Sequence, residues 1–298
     1  MTIDDFSNIE FGISFYGNGE SVQRKIPINK DVKDSLLEML ETFFETYERL
    51  EGAEEEFSPS EKYQSNERLF LHTNNDHLKE LKEFYENEKL EIDDASFSIY
   101  AQETDYYFAI FHHKGGQKLI GVKRPNYFKG LLKKKGKLIS LVDDTLKVIP
   151  DDVFKLDFDF DFVIVEEKII ILHPSGFSLI TNFENAVLNS ANANVEEIAE
   201  KLSYINFEGI SERAVKNLNT ARLIYSIKSR NDLGQITLDK LIQKCKLSGI
   251  TLEFKDDKYF PPKEYEKLFL EILDRRIYEY DLTENDPEIY KAASRKKL

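Results

Sequence analysis

The stretch Asp151–Phe183, DDVFKLDFDFDFVIVEEKIIILHPSGFSLITNF, decides how this chain folds. Phe154, Leu156, Phe158, Phe160 and Phe162 alternate with Lys155, Asp157, Asp159 and Asp161. A period of two puts the rings on one face of a strand and the charges on the other, so the aspartates are expected on a solvated strand face. From Phe162 to Val165 the alternation gives way to an unbroken apolar run, and after Glu166-Glu167-Lys168 a second run covers Ile169–Leu172. Two apolar runs about a short polar turn predict a hairpin buried on both faces, as at the centre of a sheet. Alanine at Phe158, Phe160 or Phe162 is expected to cost about 3–5 kcal/mol wherever the ring is buried.

Upstream of this hairpin, strands are predicted at Phe97–Ala101, Tyr106–His113, Lys118–Lys123, Lys137–Val142 and Thr145–Ile149. Gly115-Gly116 and Asp143-Asp144 supply turns, so the sheet reads as an antiparallel meander. Phe11–Gly17 and Val22–Ile28 form an earlier hairpin, and Pro27 suits an edge strand. Asn29 caps a helix over Lys30–Leu50, whose Val32, Leu36, Met39, Leu40, Phe43 and Tyr47 recur at threes and fours. Ala53–Asn66 reads as a loop, and Asp76 as the cap of a helix that turns Leu78, Leu81, Phe84 and Tyr85 inward.

Downstream, helices are predicted over Asn185–Tyr204, from Ser211 to Leu218 and on through Ser229, over Thr237–Cys245 and over Lys263–Leu273. A strand near Phe254 interrupts the last pair. The fold class is α+β. Residues 1–95 form a helix-rich N-terminal region with a β-hairpin, residues 96–183 a central antiparallel sheet, and residues 184–298 a helical C-terminal region.

With 41% hydrophobic and 32% charged residues, the 298-residue chain has the composition of a folded globular protein. It lacks the roughly 18–20-residue apolar run that would span a bilayer, and its acidic start lacks a signal peptide's basic and apolar segments. The single Cys245 allows no intramolecular disulfide. A cytoplasmic location is expected.

The net charge of −14 argues against nucleic acid as a general partner, but the charge is segregated. From Tyr106 to Val142 there is no Asp or Glu, while Lys114, Lys118, Lys123, Arg124, Lys129, Lys133, Lys134, Lys135 and Lys137 all carry positive charge. Tyr127, Phe128 and glycines interleave them, as at a surface that meets phosphates through lysine and backbone. A second acid-free block, Arg213–Arg230, carries Arg213, Lys216, Arg222, Lys228 and Arg230. The bland alternatives are a lysine-guarded strand edge for the first block, and for the second a helix surface facing acids of the same chain. Phosphate contacts would position a duplex without reading its bases.

Asp151 followed by Glu166-Glu167-Lys168 has the outline of a Mg²⁺-dependent nuclease site, but a charged hairpin turn accounts for the second group. His112 and His113 point to opposite faces of one strand, and no Walker loop, dinucleotide fingerprint or nucleophile elbow is present. No catalytic set, metal or cofactor is expected.

Three groups of residues carry a family resemblance: the hairpin Phe162-Val-Ile-Val-Glu-Glu-Lys-Ile-Ile-Ile-Leu with Phe177 and Phe183 after it, the segment Leu273-Asp-Arg-Arg-Ile-Tyr-Glu-Tyr-Asp-Leu-Thr, and the close Tyr290-Lys-Ala-Ala-Ser-Arg-Lys-Lys-Leu. Over residues 96–298 the chain resembles the family typified by KwaB, the B component of the two-gene Kiwa anti-phage defence system. The resemblance implies a bacterial cytoplasmic protein that binds DNA, opposes phage replication and works as a homo-oligomer. It also implies a small multi-pass membrane partner resembling KwaA, which would recruit the protein to the inner face of the cell membrane.

The expectation from these readings together is a non-enzymatic effector that binds double-stranded DNA without sequence specificity. Its DNA contacts are expected at Lys123, Arg124, Lys129, Lys133, Lys134, Lys135 and Lys137, with Arg222, Lys228 and Arg230 in support. A Mg²⁺-dependent nuclease and a pure interaction subunit of a membrane-associated complex stand as alternatives.

Overall fold

The computed structural model describes residues 5–17, 20–63, 66–78, 81, 104–125, 139–142, 145–148, 155–280 and 288–292. The chain divides into two compact units, residues 1–56 with 66–181 and residues 57–65 with 182–298.

The first unit contains β1 (Phe6–Gly17), β2 (Glu20–Ile26), α1 (Lys30–Arg49), β3 (Glu51–Glu56), β4 (Glu67–His72), β5 (Thr104–His113) and β6 (Lys118–Lys123). After them come β7 (Ile139–Val142), β8 (Thr145–Val148), β9 (Phe162–Val165), β10 (Lys168–Ile171) and α2 (Pro174–Ile180). Eight strands form one sheet in the order β2-β1-β5-β6-β9-β10-β4-β3, and β7 pairs with β8 alone. All pairings in the large sheet are antiparallel except that of β3 with β4. The apolar hairpin β9–β10 thus lies inside the sheet between β6 and β4, and Glu166 takes the left-handed conformation (φ 54°) at its turn. With β2 at one end of the sheet, Pro27 falls just beyond an edge strand, where its missing N–H costs no ladder bond.

The Asn29 side chain accepts the Val32 N–H (3.0 Å) and starts α1, whose Leu36, Met39, Leu40 and Phe43 recur at threes and fours and are buried. They share a core with Phe11 and Ile13 of β1 and with Tyr107, Ala109 and Phe111 of β5. On the opposite face of the sheet Phe108, Ile110, Ile120, Val122, Phe162 and Ile164 are buried as well. Side chains that alternate across a strand and are buried on both faces produce the unbroken apolar runs of the central strands. The N-terminal hairpin belongs to this sheet, for β1 pairs with β5 over most of its length.

Two expectations for this unit are corrected. Residues 53–56 form the end of edge strand β3 rather than part of a loop, and this strand's row of glutamates suits an edge that must resist pairing with other chains. Residues 155–161 lie outside any strand; Phe158 is 80% exposed while Asp157 and Asp161 are buried. The alternation there belongs to a looping segment that enters the ladder only at Phe162. Phe97–Ala101, Phe84 and Tyr85 lie outside the described residues.

The second unit holds Phe57–Tyr63, then α3 (Phe183–Asn189), α4 (Ala191–Lys201), α5 (Glu208–Ala214), α6 (Leu218–Lys228) and α7 (Leu238–Leu247). The hairpin β11 (Glu253–Lys255) and β12 (Lys258–Phe260) follows, then α8 (Glu266–Leu273) and the hairpin β13 (Ile277–Tyr280) and β14 (Glu288–Lys291). Thr220, Ala221, Leu223, Ile224, Tyr225, Ser226 and Ile227 are all buried, which makes α6 the central helix of this unit. The helix expected over Asn185–Tyr204 breaks at Ser190, whose hydroxyl bonds back to the Ala186 carbonyl (2.9 Å). Ser211 caps nothing; Asn206 accepts the Glu208 N–H (2.9 Å) and starts α5 earlier, and Asn217 caps a separate α6 by accepting the Thr220 N–H (3.0 Å). Among the described residues no helix is long and apolar enough to cross a membrane.

Candidate nucleic-acid interface

The acid-free segment leaves the sheet at the end of β6, where Lys123 and Arg124 occupy different environments. Lys123 is 7% exposed, with its Nζ 3.0 Å from Asp159 Oδ1 and 3.1 Å from Asp161 Oδ1. Burial works to lower its pKa, but Asp161 and Asp159 hold it above the ordinary lysine range. Its charge is spent inside the unit. Arg124 is exposed, and its backbone N–H donates to Asp161 Oδ2 (2.8 Å).

Asp161 joins three elements. Its N–H donates to the Val122 carbonyl (2.9 Å), and its own carbonyl accepts the N–H groups of Leu172 (3.0 Å) and His173 (2.9 Å). A side chain at Gly176, in the first turn of α2, would run into the Asp161 carboxylate. The second oxygen of Asp159 meets His173 Nε2 at 2.9 Å, and the Asp157 N–H donates to the Tyr107 hydroxyl (3.0 Å). Asp159 and Asp161, expected on a solvated face, are therefore drawn inward, since the Lys123 ammonium, the Arg124 N–H and the His173 ring are available to their carboxylates. One signal in the sequence points this way. Asp161 stands between Phe160 and Phe162, and when both neighbours are buried the residue between them has little freedom to stay in water.

The cluster makes a pH prediction. Burial raises the pKa of Asp159, but His173 and Lys123 outweigh it and bring the carboxyl below its usual 3.8. A lowered carboxylate contributes stability above its unfolded value that is lost as pH falls through the folded one. The raised Lys123 contributes below 10.5 and loses its contribution only as pH climbs through its higher folded value. Urea midpoints are thus expected to stay flat through neutral pH, so far as this pair governs them, and to fall below the ordinary aspartate range. In Asp159→Asn that acid-side fall should be shallower; an unchanged acid limb would remove Asp159 from the explanation.

Lys129, Lys133, Lys134, Lys135 and Lys137 lie outside the described residues. In the second block the cations meet acids of their own unit. Arg213 lies 3.6 Å from Glu266, Arg222 pairs with Glu184, and Lys228 lies 3.2 Å from Glu197. Arg230 is 8% exposed, bridging Asp232 (2.9 Å) and the Leu273 carbonyl. This arrangement favours the structural reading of Arg222, Lys228 and Arg230 over a phosphate-binding one.

Glu166 and Glu167 form the β9–β10 turn; Glu166 accepts a bond from Gln117 (2.7 Å), and Lys168 pairs with Glu54. Among the described residues no three His, Cys, Asp or Glu converge as a metal site would require. Asp151 lies outside them. Cys245 is buried on α7, and burial pushes its thiol up to about 12, which leaves no reactive thiolate at neutral pH.

A family model described as Kiwa protein KwaB-like matches residues 102–283. That range takes in the strands from β5 onward as far as β13, the acid-free segment, the Asp161 cluster and α3 to α8 of the second unit. No curated protein and no solved structure matches the chain.

Proposed function

The chain belongs to the KwaB-like family of the Kiwa anti-phage defence system, and from that premise we propose that it serves there by gripping double-stranded DNA without regard to sequence. The observation that carries the reading is the acid-free run from Tyr106 to Val142 with its nine cations, in a chain whose net charge is −14. Arg124, exposed at the end of β6 and tied by its backbone to Asp161, precedes Lys129, Lys133, Lys134, Lys135 and Lys137 in the sequence. Lys123 serves this reading as an internal counter-charge, and Arg222, Lys228 and Arg230 as stabilisers of the second unit. The lysines beyond Arg124 would neutralise phosphates and release counterions, a grip blind to base sequence.

The same reading gives the protein a multi-pass membrane partner of the KwaA kind, which recruits it to the inner face of the membrane. It also makes the protein a homo-oligomer, so that several such segments engage one duplex with greater avidity.

The test is retardation of a labelled duplex by the wild-type chain and by the variant carrying Lys133→Glu, Lys134→Glu and Lys135→Glu. Wild-type affinity should fall steeply with salt, with a log–log slope of about −0.9 per phosphate neutralised. The variant is expected to lose low-salt binding while its thermal unfolding is unchanged. Binding that survives the triple charge reversal would overturn the assignment of the segment.

A further inference from the structure

The looping segment 155–161 of the first unit is fastened along its length. The Asp157 N–H donates to the Tyr107 hydroxyl (3.0 Å) and the Asp161 N–H to the Val122 carbonyl (2.9 Å). Asp159 bridges Lys123 (3.0 Å) and His173 (2.9 Å), and Phe160 is anchored in the core. Phe158 sits in the middle of this stretch and is 80% exposed, more than any other large apolar side chain among the described residues. A single apolar side chain in water needs no explanation by itself. A ring held outward by a backbone with so little freedom is different, because its position is fixed before any ligand arrives.

Charge is sorted by depth around this ring. Asp157 and Asp161 are buried, and Asp159 is occupied by Lys123 and His173. The surface beside Phe158 is left to basic groups. The Lys155 ammonium lies over the ring at 5.5 Å, and Arg124 is exposed and joined through its backbone N–H to Asp161 (2.8 Å). His173 keeps 43% of its side chain in solvent. A solvated aromatic face with positive charge at its side and acids withdrawn beneath fits a ligand that carries a flat ring next to an anion. A nucleotide has both, since its base stacks and its phosphate pairs with lysine or guanidinium. Inside a duplex the faces of each base are covered by its neighbours, so the ring has use only for a base that has left the stack.

We propose that Phe158 stacks on an unpaired base while Lys155 and Arg124 hold the phosphates beside it, so that the chain takes single-stranded DNA at the end of a duplex in preference to the duplex alone. The inference rests on the reading of the chain as a DNA binder and adds a substrate class to it. Stacking accepts any base, so the grip stays blind to sequence.

The experiment is fluorescence anisotropy of three labelled probes titrated with the full-length chain at one salt concentration. They are a blunt duplex, the same duplex with an oligodeoxythymidine overhang, and the same duplex with an abasic overhang of equal length. The two overhangs carry equal numbers of phosphates, so their ratio reports the bases alone. The wild type is expected to bind the thymidine overhang about tenfold more tightly than the abasic one. Phe158→Ala should bring that ratio to about one with thermal unfolding unchanged, Phe158→Tyr should keep it, and Lys155→Gln should weaken both overhangs together. A ratio near one in the wild type, or a ratio that survives Phe158→Ala, overturns the proposal. The blunt duplex separates the two readings. Duplex binding without a thymidine preference overturns this inference alone, whereas a thymidine preference lost in Phe158→Ala, without duplex binding, supports it and overturns the duplex reading.

Discussion

Replacing Phe160 with alanine is expected to lower the unfolding free energy of the first unit by about 3–5 kcal/mol, whereas Phe158→Ala should stay within about 0.5 kcal/mol. The two rings are two residues apart in one alternating run, and the run itself gives no reason to treat them differently. The structure does. Phe160 is fully buried beside Phe111, ring centroids 6.0 Å apart and nearly perpendicular (81°), in the core that α1 covers. Its ring lies on Gly121 of β6, where an added Cβ would come within 2.7 Å of it. Truncation would leave a cavity walled by the sheet and by α1, neither of which can close without moving the other. Phe158 is 80% exposed, and Lys155 caps its ring from 5.5 Å. Urea denaturation of the two variants beside wild type decides the matter, and equal losses would show that the Phe158 ring is buried as deeply as that of Phe160.

Why one ring goes in and the other out shows where sequence reading stops. The elements that were legible, α1 and β9–β10, are those whose whole apolar pattern serves a single burial geometry. In 155–161 the pattern served two. Phe160 sought the core, and Asp161 sought the Arg124 N–H and the Lys123 ammonium that lie beside it. Satisfying both turned the chain out of strand geometry and left Phe158 in water. Periodicity records side-chain polarity but carries no information on which distant donor will meet an acid.

The partners of the second basic block were hidden for the same reason. Its charges were plain, but Glu184, Glu197, Asp232 and Glu266, which meet them, come from other elements of the unit. By contrast the first block was legible as charge because the absence of acids over 106–142 is itself a property of sequence. The parallel pairing of β3 with β4 was hidden by composition, since EGAEEE has few of the residues that favour strands and its place at the sheet edge is settled by pairing alone.

The segment Leu273-Asp-Arg-Arg, part of the family resemblance and without evident chemistry, acquires a physical role that makes the second large prediction. Asp274→Ala is expected to cost about 3–5 kcal/mol, the range for removing one partner of a buried ion pair. Asp274 is fully buried, accepting the Ser226 hydroxyl at the middle of the unit through α6 (2.7 Å) and Arg276 Nε through its other oxygen (2.7 Å). Arg276 in turn donates to the Ser60 carbonyl (2.9 Å) and lies 3.6 Å from Glu61. The network therefore holds the stretch Phe57–Tyr63 to α6 and α8, with the Phe57 ring tilted against those of Tyr63 (5.6 Å) and Phe183 (5.8 Å). Removing the carboxylate leaves the buried Arg276 guanidinium with Glu61, at 3.6 Å, as its counter-charge and loosens its hold on that stretch. Urea unfolding of Asp274→Ala should show the loss, and hydrogen exchange should quicken first in residues 57–63, because local opening precedes global unfolding wherever a tie is cut. Replacing both partners, Asp274→Leu with Arg276→Met, separates the cost of the buried charge from that of the lost contact. If the cost of Asp274→Ala comes from a buried guanidinium that has lost its 2.7 Å partner, the double variant recovers much of the stability while exchange at 57–63 stays fast. If it recovers nothing, the network stabilises the unit through its bonds to Ser226 and Ser60, and charge pairing contributes little.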